Sequence, residues 1–234
     1  MIRKIFFYLL LSGIFLIACN SNQSKLDNVE LLTKHDSINY CIGTNIGDQF
    51  IQNSVEVGNP LAIAQGFNDV INENELSISE ENKQMLLNEL NQQMQVVQRQ
   101  KMIQEIENNI NEGTTFLMEN KKKEGVIVTE SGLQYKIIRE GRGKTPKVID
   151  SVTVHYKGSF VDGTVFESSY EYGTPVTFPV GGVIPGWTEG LTYMKVGAIH
   201  ELYIPYNLAY GEQGARIIPG GKTLIFQVEL LEIK

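Results

Sequence analysis

No proline interrupts the chain between Pro60 and Pro146, and within that interval apolar residues follow a helical period until the pattern changes at Gly125. Leu86, Leu90, Met94, Val97, Ile103, Ile106, Ile110 and Leu117 keep to one stripe, with Gln100 its polar gap. A helix over 80–123 would be about 65 Å long at 1.5 Å per residue, more than one small domain can cover. Its stripe must therefore face something else, and a partner helix is the natural cover. Gly113 and the imperfect period could mark a break that would shorten it. Ser77 and Glu80 have capping-box spacing, and Ser79 is an alternative cap. Lys121, Lys122 and Lys123 suit a helix C-terminus, and Gly125 suits the residue after it.

Two shorter helices precede this one. Asp36 offers an N-cap to a segment carrying Ile38, Cys41, Ile42, Ile46 and Phe50 at helical spacing. Gly43 and Gly47 lie one turn apart in it, marking either a weak helix or a close approach of another backbone. Cys41, on the apolar face, reads as a small buried hydrophobe. Asn59-Pro60 then supplies a cap with proline at the first helical position, opening a segment with Leu61, Ile63, Phe67, Val70 and Ile71.

The first residues carry a different signal. Arg3 and Lys4 precede an apolar run from Ile5 to Ile17, which reads as a secretory signal over 1–18. Thirteen helical residues span only about 20 Å, short of the ~30 Å hydrocarbon layer. Leu16-Ile17-Ala18-Cys19 looks like a bacterial lipobox, making Cys19 the lipidation site and mature N-terminus. An ordinary cleaved signal with a coincidental cysteine is the alternative. Residues 19–29 read as a flexible tether, and two or three acyl chains on Cys19 would anchor the protein stably in the cell envelope. Loss of Arg3 and Lys4 takes the formal charge from −7 to −9, which argues against a nucleic-acid partner. With Cys19 acylated, Cys41 has no disulfide partner, and His35, His155 and His200 lack companions at metal-ligand spacing. Neither a metal nor another cofactor is expected.

Beyond Gly125 the pattern alternates, as in Ser151-Val152-Thr153-Val154-His155-Tyr156, with turn residues between short segments. Residues 30–124 thus form a helical region, residues 125–234 a mixed domain, and the fold class is α+β. Thr223 to Ile233 alternates well enough for a long strand. Val165-Phe166-Glu167-Ser168-Ser169, Val183-Ile184-Pro185-Gly186-Trp187 and Ala209-Tyr210-Gly211 space large apolar side chains around a few polar ones. That arrangement suits a binding hollow better than acid–base chemistry. Ser168 and Ser169 lack a Gly-x-Ser-x-Gly elbow, Asp162, Glu167 and Glu171 read as solvated turn positions, and Gly181-Gly182 is a turn outside any phosphate-binding fingerprint.

With Val154-His155-Tyr156-Lys157-Gly158 upstream, Thr223-Leu224-Ile225-Phe226 downstream and Gly132-Leu133-Gln134-Tyr135 at the start, residues 125–234 resemble the FKBP-type peptidyl-prolyl cis-trans isomerases. The helical region resembles, at the level of pattern, the dimerisation region of Mip/FkpA-like isomerases. The resemblance implies an antiparallel sheet wrapped over one short helix near 184–191. It also implies catalytic residues Tyr156, Phe166, Glu167, Ile184, Trp187, Tyr210 and Phe226, with Phe178, Val183, Ile217 and Ile218 binding substrate. Trp187 would be the platform for the proline ring, the Ile184 amide a donor to the preceding carbonyl, and the Tyr210 hydroxyl a nearby hydrogen-bonding group. Glu167 stands where the family usually has aspartate, which would displace its hydrogen bond to the tyrosine side of the pocket. Val176 stands where many relatives carry an aromatic, and the 212–221 loop is slightly short.

The implied protein is an outer-membrane-anchored homodimer, paired through its N-terminal helices, acting on unfolded or partly folded exported proteins with Xaa-Pro bonds. The rivals are a non-enzymatic holdase or surface lipoprotein using the same hollow, and a protein whose helical region carries the main chaperone role.

Overall fold

The computed structural model describes residues 29–234; the signal segment, Cys19 and the tether as far as Asn28 lie outside the described residues. Helices α1 (Lys34–Gln52), α2 (Pro60–Ile71) and α3 (Glu80–Asn120) come first. Strands β1 (Val126–Val128), β2 (Gln134–Arg139), β3 (Ser151–Phe160), β4 (Val165–Ser168) and β5 (Val176–Pro179) follow. Helix α4 (Pro185–Thr192) and strands β6 (Ile199–Ile204) and β7 (Leu224–Ile233) complete the chain. The described chain divides into two compact units within α3, between Asn91 and Gln92.

In the first unit, α1 is capped by Thr33 rather than Asp36: Thr33 Oγ1 accepts from the Asp36 N–H, and the Asp36 carboxylate accepts from the Thr33 N–H at 2.7 Å. Asp36 therefore forms the other half of a capping box, since its longer reach suits the third helical position. Asn59 caps α2, with Pro60 at the first position, as its sequence predicts. Ser79, not Ser77, caps α3, accepting from the Asn82 N–H at 3.3 Å. No residue of α1 is buried, and in α2 only Asp69 is, bonded by Gln65 and Asn74. Cys41 is exposed, contrary to its expected burial, because none of the described residues covers it on α1. Gly43 and Gly47 likewise have no other atoms within 4 Å of their Cβ positions. The two helices instead leave an open apolar cleft of about 780 Å³ between them, lined by Ile42, Ile46, Phe50, Ile63 and Phe67 among others.

In the second unit, α3 runs unbroken through Gly113 and ends at Asn120, ahead of the three lysines. Gly113 is not a break but a close approach: Thr223 lies where a side chain would project. Phe116 meets Tyr203 at 6.0 Å between ring centres, and buried Asn120 donates to Gln134 at 3.1 Å. The C-terminal part of the stripe is thus covered by the chain's own sheet, which helical periodicity alone cannot distinguish from a partner helix.

All strands pair antiparallel in the order β1-β2-β6-β7-β3-β4, and β5 shares with β4 the outer edge of the long strand β3. Alternation puts Val152, Val154 and Tyr156 of β3 beside Leu224, Phe226, Val228 and Leu230 of β7 in one core. Helix α4 packs on the same face. A Cβ at Gly190 would lie 2.7 Å from Leu202 Cδ1, so only glycine lets α4 come this near β6. His200 of β6 is 1 % exposed and stacks on Tyr135 at 5.6 Å, and burial pushes its imidazole below its ordinary value.

Candidate functional site

Residues of the sheet, of α4 and of the segments around them line a hollow of about 440 Å³: Tyr156, Glu167, Phe178, Gly182, Val183, Ile184, Trp187, Tyr210 and Phe226. Trp187 forms its floor. It lies in the first turn of α4, is 4 % exposed, and is boxed edge-on by Tyr156, Phe178 and Phe226 at 5.4, 5.9 and 5.2 Å, with interplanar angles of 81–89°. Such T-shaped contacts lock the indole plane in place. Its buried Nε1–H has no acceptor among the described residues.

Phe178 and Tyr156 reach the wall from β5 and β3, and Phe226 comes from β7. Val183 and Ile184 follow a short 3-10 turn, and Ile184 is the N-cap of α4. The Ile184 carbonyl accepts from the Trp187 and Thr188 N–H groups, whereas its own N–H donates to no other described residue. An amide donor therefore stands available at the rim. Tyr210 also lines the hollow, just before Gly211, whose positive φ of 65° turns the chain.

The electrostatics are sparse. Glu167 is the single ionisable carboxyl in the lining, and its carboxylate lies near enough to the Tyr156 hydroxyl to affect it. Burial first, then the neighbouring Glu167 carboxylate, raises the Tyr156 phenol above its ordinary value of 10.0. Burial and the charge of Glu167 raise Tyr210 in the same way. Both hydroxyls therefore stay protonated at neutral pH and act as hydrogen-bond donors, not bases.

Three expected residues lie outside the hollow. Phe166 backs the wall: its ring fills the space above Gly158, meeting Phe226 edge-on at 5.6 Å and Phe160 at 4.9 Å. Ile218 is turned inward to the core, and Ile217 is 60 % exposed, because Ala215 and Ile218 pair across a tight turn that sends their neighbour outward. Val176, paired with Val154, packs against the core. Gly182 also lines the hollow, and a side chain there would run into Pro179 Cγ at 2.8 Å. Ser169 was missed as a brace. Its Oγ accepts from the Tyr156 N–H at 2.8 Å and donates to the Tyr156 carbonyl at 3.2 Å, tying down the backbone that carries a wall residue. It is buried and committed to those bonds.

The described surroundings hold apolar walls, an available amide donor and phenolic hydroxyls that stay protonated. Such a site can bind a neutral planar group and favour its distortion. A family model described as FKBP-type peptidyl-prolyl cis-trans isomerase matches residues 143–231, and one described as the domain amino terminal to it matches 35–137. The chain is similar to the FKBP-type 22 kDa peptidyl-prolyl cis-trans isomerase of Escherichia coli (strain K12), 45% identical over 195 residues, covering 83% of this chain and 93% of that one. It is also similar to the outer membrane protein MIP of Legionella longbeachae, 37% identical over 228 residues and covering 97% of each. Among solved structures, that of FkpA from Escherichia coli superposes with a TM-score of 0.74 at 31% identity, covering 88% of this chain and 99% of that one.

Proposed function

The chain belongs to the FKBP-type peptidyl-prolyl cis-trans isomerases, and from that premise we propose how its hollow turns an Xaa-Pro bond and where in the cell it does so. Rotation about a prolyl amide crosses about 18–20 kcal/mol, while cis and trans differ by only about 1 kcal/mol. No covalent bond breaks. At the twisted transition state the amide loses resonance and its carbonyl loses polarity, so an apolar, water-poor cavity favours that state over the planar ones. A 10⁵-fold acceleration needs about 7 kcal/mol of such preference.

In this reading the proline ring rests on Trp187 between Tyr156, Phe178, Val183 and Phe226. The Ile184 N–H donates to the carbonyl preceding proline, and Tyr210 donates nearby. Glu167 orients Tyr156, and Phe166 acts by supporting Phe226. Ile217 meets substrate only outside the hollow, at its rim. The observation that carries the reading is the indole floor boxed by three perpendicular rings beneath an unpaired amide donor.

A protease-coupled assay on a short Xaa-Pro peptide tests it. The wild type should accelerate the slow phase with kcat/KM flat from pH 6.5 to 8.5, because no group in the hollow has to change protonation. Below about pH 6.5 the unfolded chain takes up a proton that buried His200, its value lowered in the folded state, resists. Stability present above that pH is then lost, so acid decline reports unfolding. Tyr210→Phe should cost about three- to tenfold, the worth of one hydrogen bond. A steep sigmoidal dependence inside the flat range, with the protein folded, would sink the proposal.

The lipobox-like segment ending at Cys19, together with a relative named as an outer membrane protein, supports an envelope protein anchored by lipid on Cys19 after removal of 1–18. Cys19→Ser should move the protein from the membrane to the soluble fraction; unchanged fractionation would refute the anchor. The bare apolar faces of α1 and α2 support pairing of two chains through 30–124, with residues 125–234 presented to unfolded exported clients.

A further inference from the structure

Residues 211–221 fold back on themselves beside the hollow. Ala215 and Ile218 exchange backbone hydrogen bonds at the tip (2.9 and 2.7 Å), and at the base the Gly221 N–H donates to the Gly211 carbonyl at 2.9 Å. Tyr210 lines the hollow and immediately precedes that base. The base is also held from outside by α3. Asn109, 7 % exposed, donates from Nδ2 to the Gly220 carbonyl at 2.8 Å, across 111 positions of sequence. Around it the helix and loop are in close contact: a Cβ at Gly221 would lie 2.7 Å from the Ile106 carbonyl oxygen and 3.0 Å from Ile110 Cγ1. One turn on, Glu112 pairs with Lys222 at 2.9 Å. The one side-chain hydrogen bond seen between α3 and the loop's glycine base therefore comes from a buried amide that touches neither the hollow nor a substrate placed in it.

We infer that Asn109 is a positioning residue for the isomerase: its side-chain amide fixes the base of the 211–221 loop and so sets where the Tyr210 hydroxyl stands over the hollow. The inference rests on the role of Tyr210 proposed above. A buried amide suits the task because its donor geometry is directional, and because the close packing around the two glycines leaves the loop base little freedom to find another partner. A displacement of well under 1 Å at the base is transmitted to Tyr210 through a single glycine, and small misplacements of orienting groups are expensive in rate.

The test is a double-mutant cycle on the full chain with a short Xaa-Pro peptide, measuring kcat/KM for Asn109→Ala, Asn109→Asp and Tyr210→Phe, and for each Asn109 variant combined with Tyr210→Phe. Trp187 is the single tryptophan, so its emission reports separately whether the floor is intact. Each Asn109 variant should lower kcat/KM about threefold or more with unaltered emission. In the Tyr210→Phe background neither should cost anything further, because the group being positioned is gone. Glu112→Gln, which breaks the neighbouring ion pair, should leave kcat/KM unchanged. Equal losses in both backgrounds, or full activity in a folded Asn109 variant, would overturn this inference alone. A Tyr210→Phe enzyme as active as wild type would remove the role of Tyr210 and the inference with it. Should the alanine variant fail to fold, the isosteric aspartate, which lacks the donor, decides the matter by the same comparison.

Discussion

Trp187→Ala should lower kcat/KM by at least about tenfold, more than Tyr210→Phe, and destabilise the second unit by about 3–5 kcal/mol. The two effects share a cause. The indole is held edge-on by Tyr156, Phe178 and Phe226, so its loss deletes the floor and also leaves three rings without the surface that sets their angles. The cavity left behind would either fill with water, restoring the polar surroundings that favour the planar amide, or collapse and close the hollow. Trp187→Phe separates packing from polarity. It keeps an aromatic floor and removes the buried Nε1–H that has no acceptor among the described residues, so it should retain most of the stability and more activity than the alanine variant. Urea unfolding with the peptide assay checks both. An alanine variant with wild-type turnover would mean that the proline ring does not rest on this residue.

On the proposed pairing of two chains through 30–124, Phe67→Asp or Ile46→Asp should leave a monomer, raising the dissociation constant by at least about a hundredfold. Phe67 is 67 % exposed in the single chain, and with Ile42, Ile46, Phe50 and Ile63 it lines the open cleft between α1 and α2. An apolar surface of this kind is left bare at a large cost in water, and a carboxylate placed in its cover would be buried without a partner. Sedimentation equilibrium reads the mass. Turnover of a short peptide should stay within about twofold, since the hollow lies in the other unit, whereas refolding of a protein client should slow as two linked sites become one. A wild-type chain that is monomeric at micromolar concentration would end this proposal.

Much of the fold could be read from residue patterns. The change from helical to alternating periodicity at Gly125, the Asn59-Pro60 helix start and the long β7 all reappear in the structure, because each depends on local spacing and on which face an apolar side chain takes. The lining of the hollow at Tyr156, Phe178, Val183, Ile184, Trp187, Tyr210 and Phe226 matches residues singled out by their order along the chain, three of them on strands and the others at the start of α4 or in a loop. Phe166 and Ile218 lie outside the hollow's lining, a distinction the sequence does not carry because an aromatic or branched residue looks the same in it whether it faces a cavity or backs its wall. Only the packing above Gly158, and the tight turn pairing Ala215 with Ile218, distinguish those cases. Ser169 left no signal, since a hydroxyl bonded to a backbone two strands' breadth away in sequence reads as a polar turn.

By itself the amino-acid order determined what is periodic: three helices, an alternating domain after them, and the apolar character of a pocket without acid–base machinery. The tertiary structure decided what covers each face. It put the end of α3 against the 211–221 loop, Thr223 and β6 through Asn109, Gly113 and Phe116, left α1 without a buried residue, and turned Ile217 away from the hollow. Periodicity records the direction of a side chain relative to its own backbone, whereas burial depends on which distant segment arrives to meet it, and that is settled only when the whole chain packs.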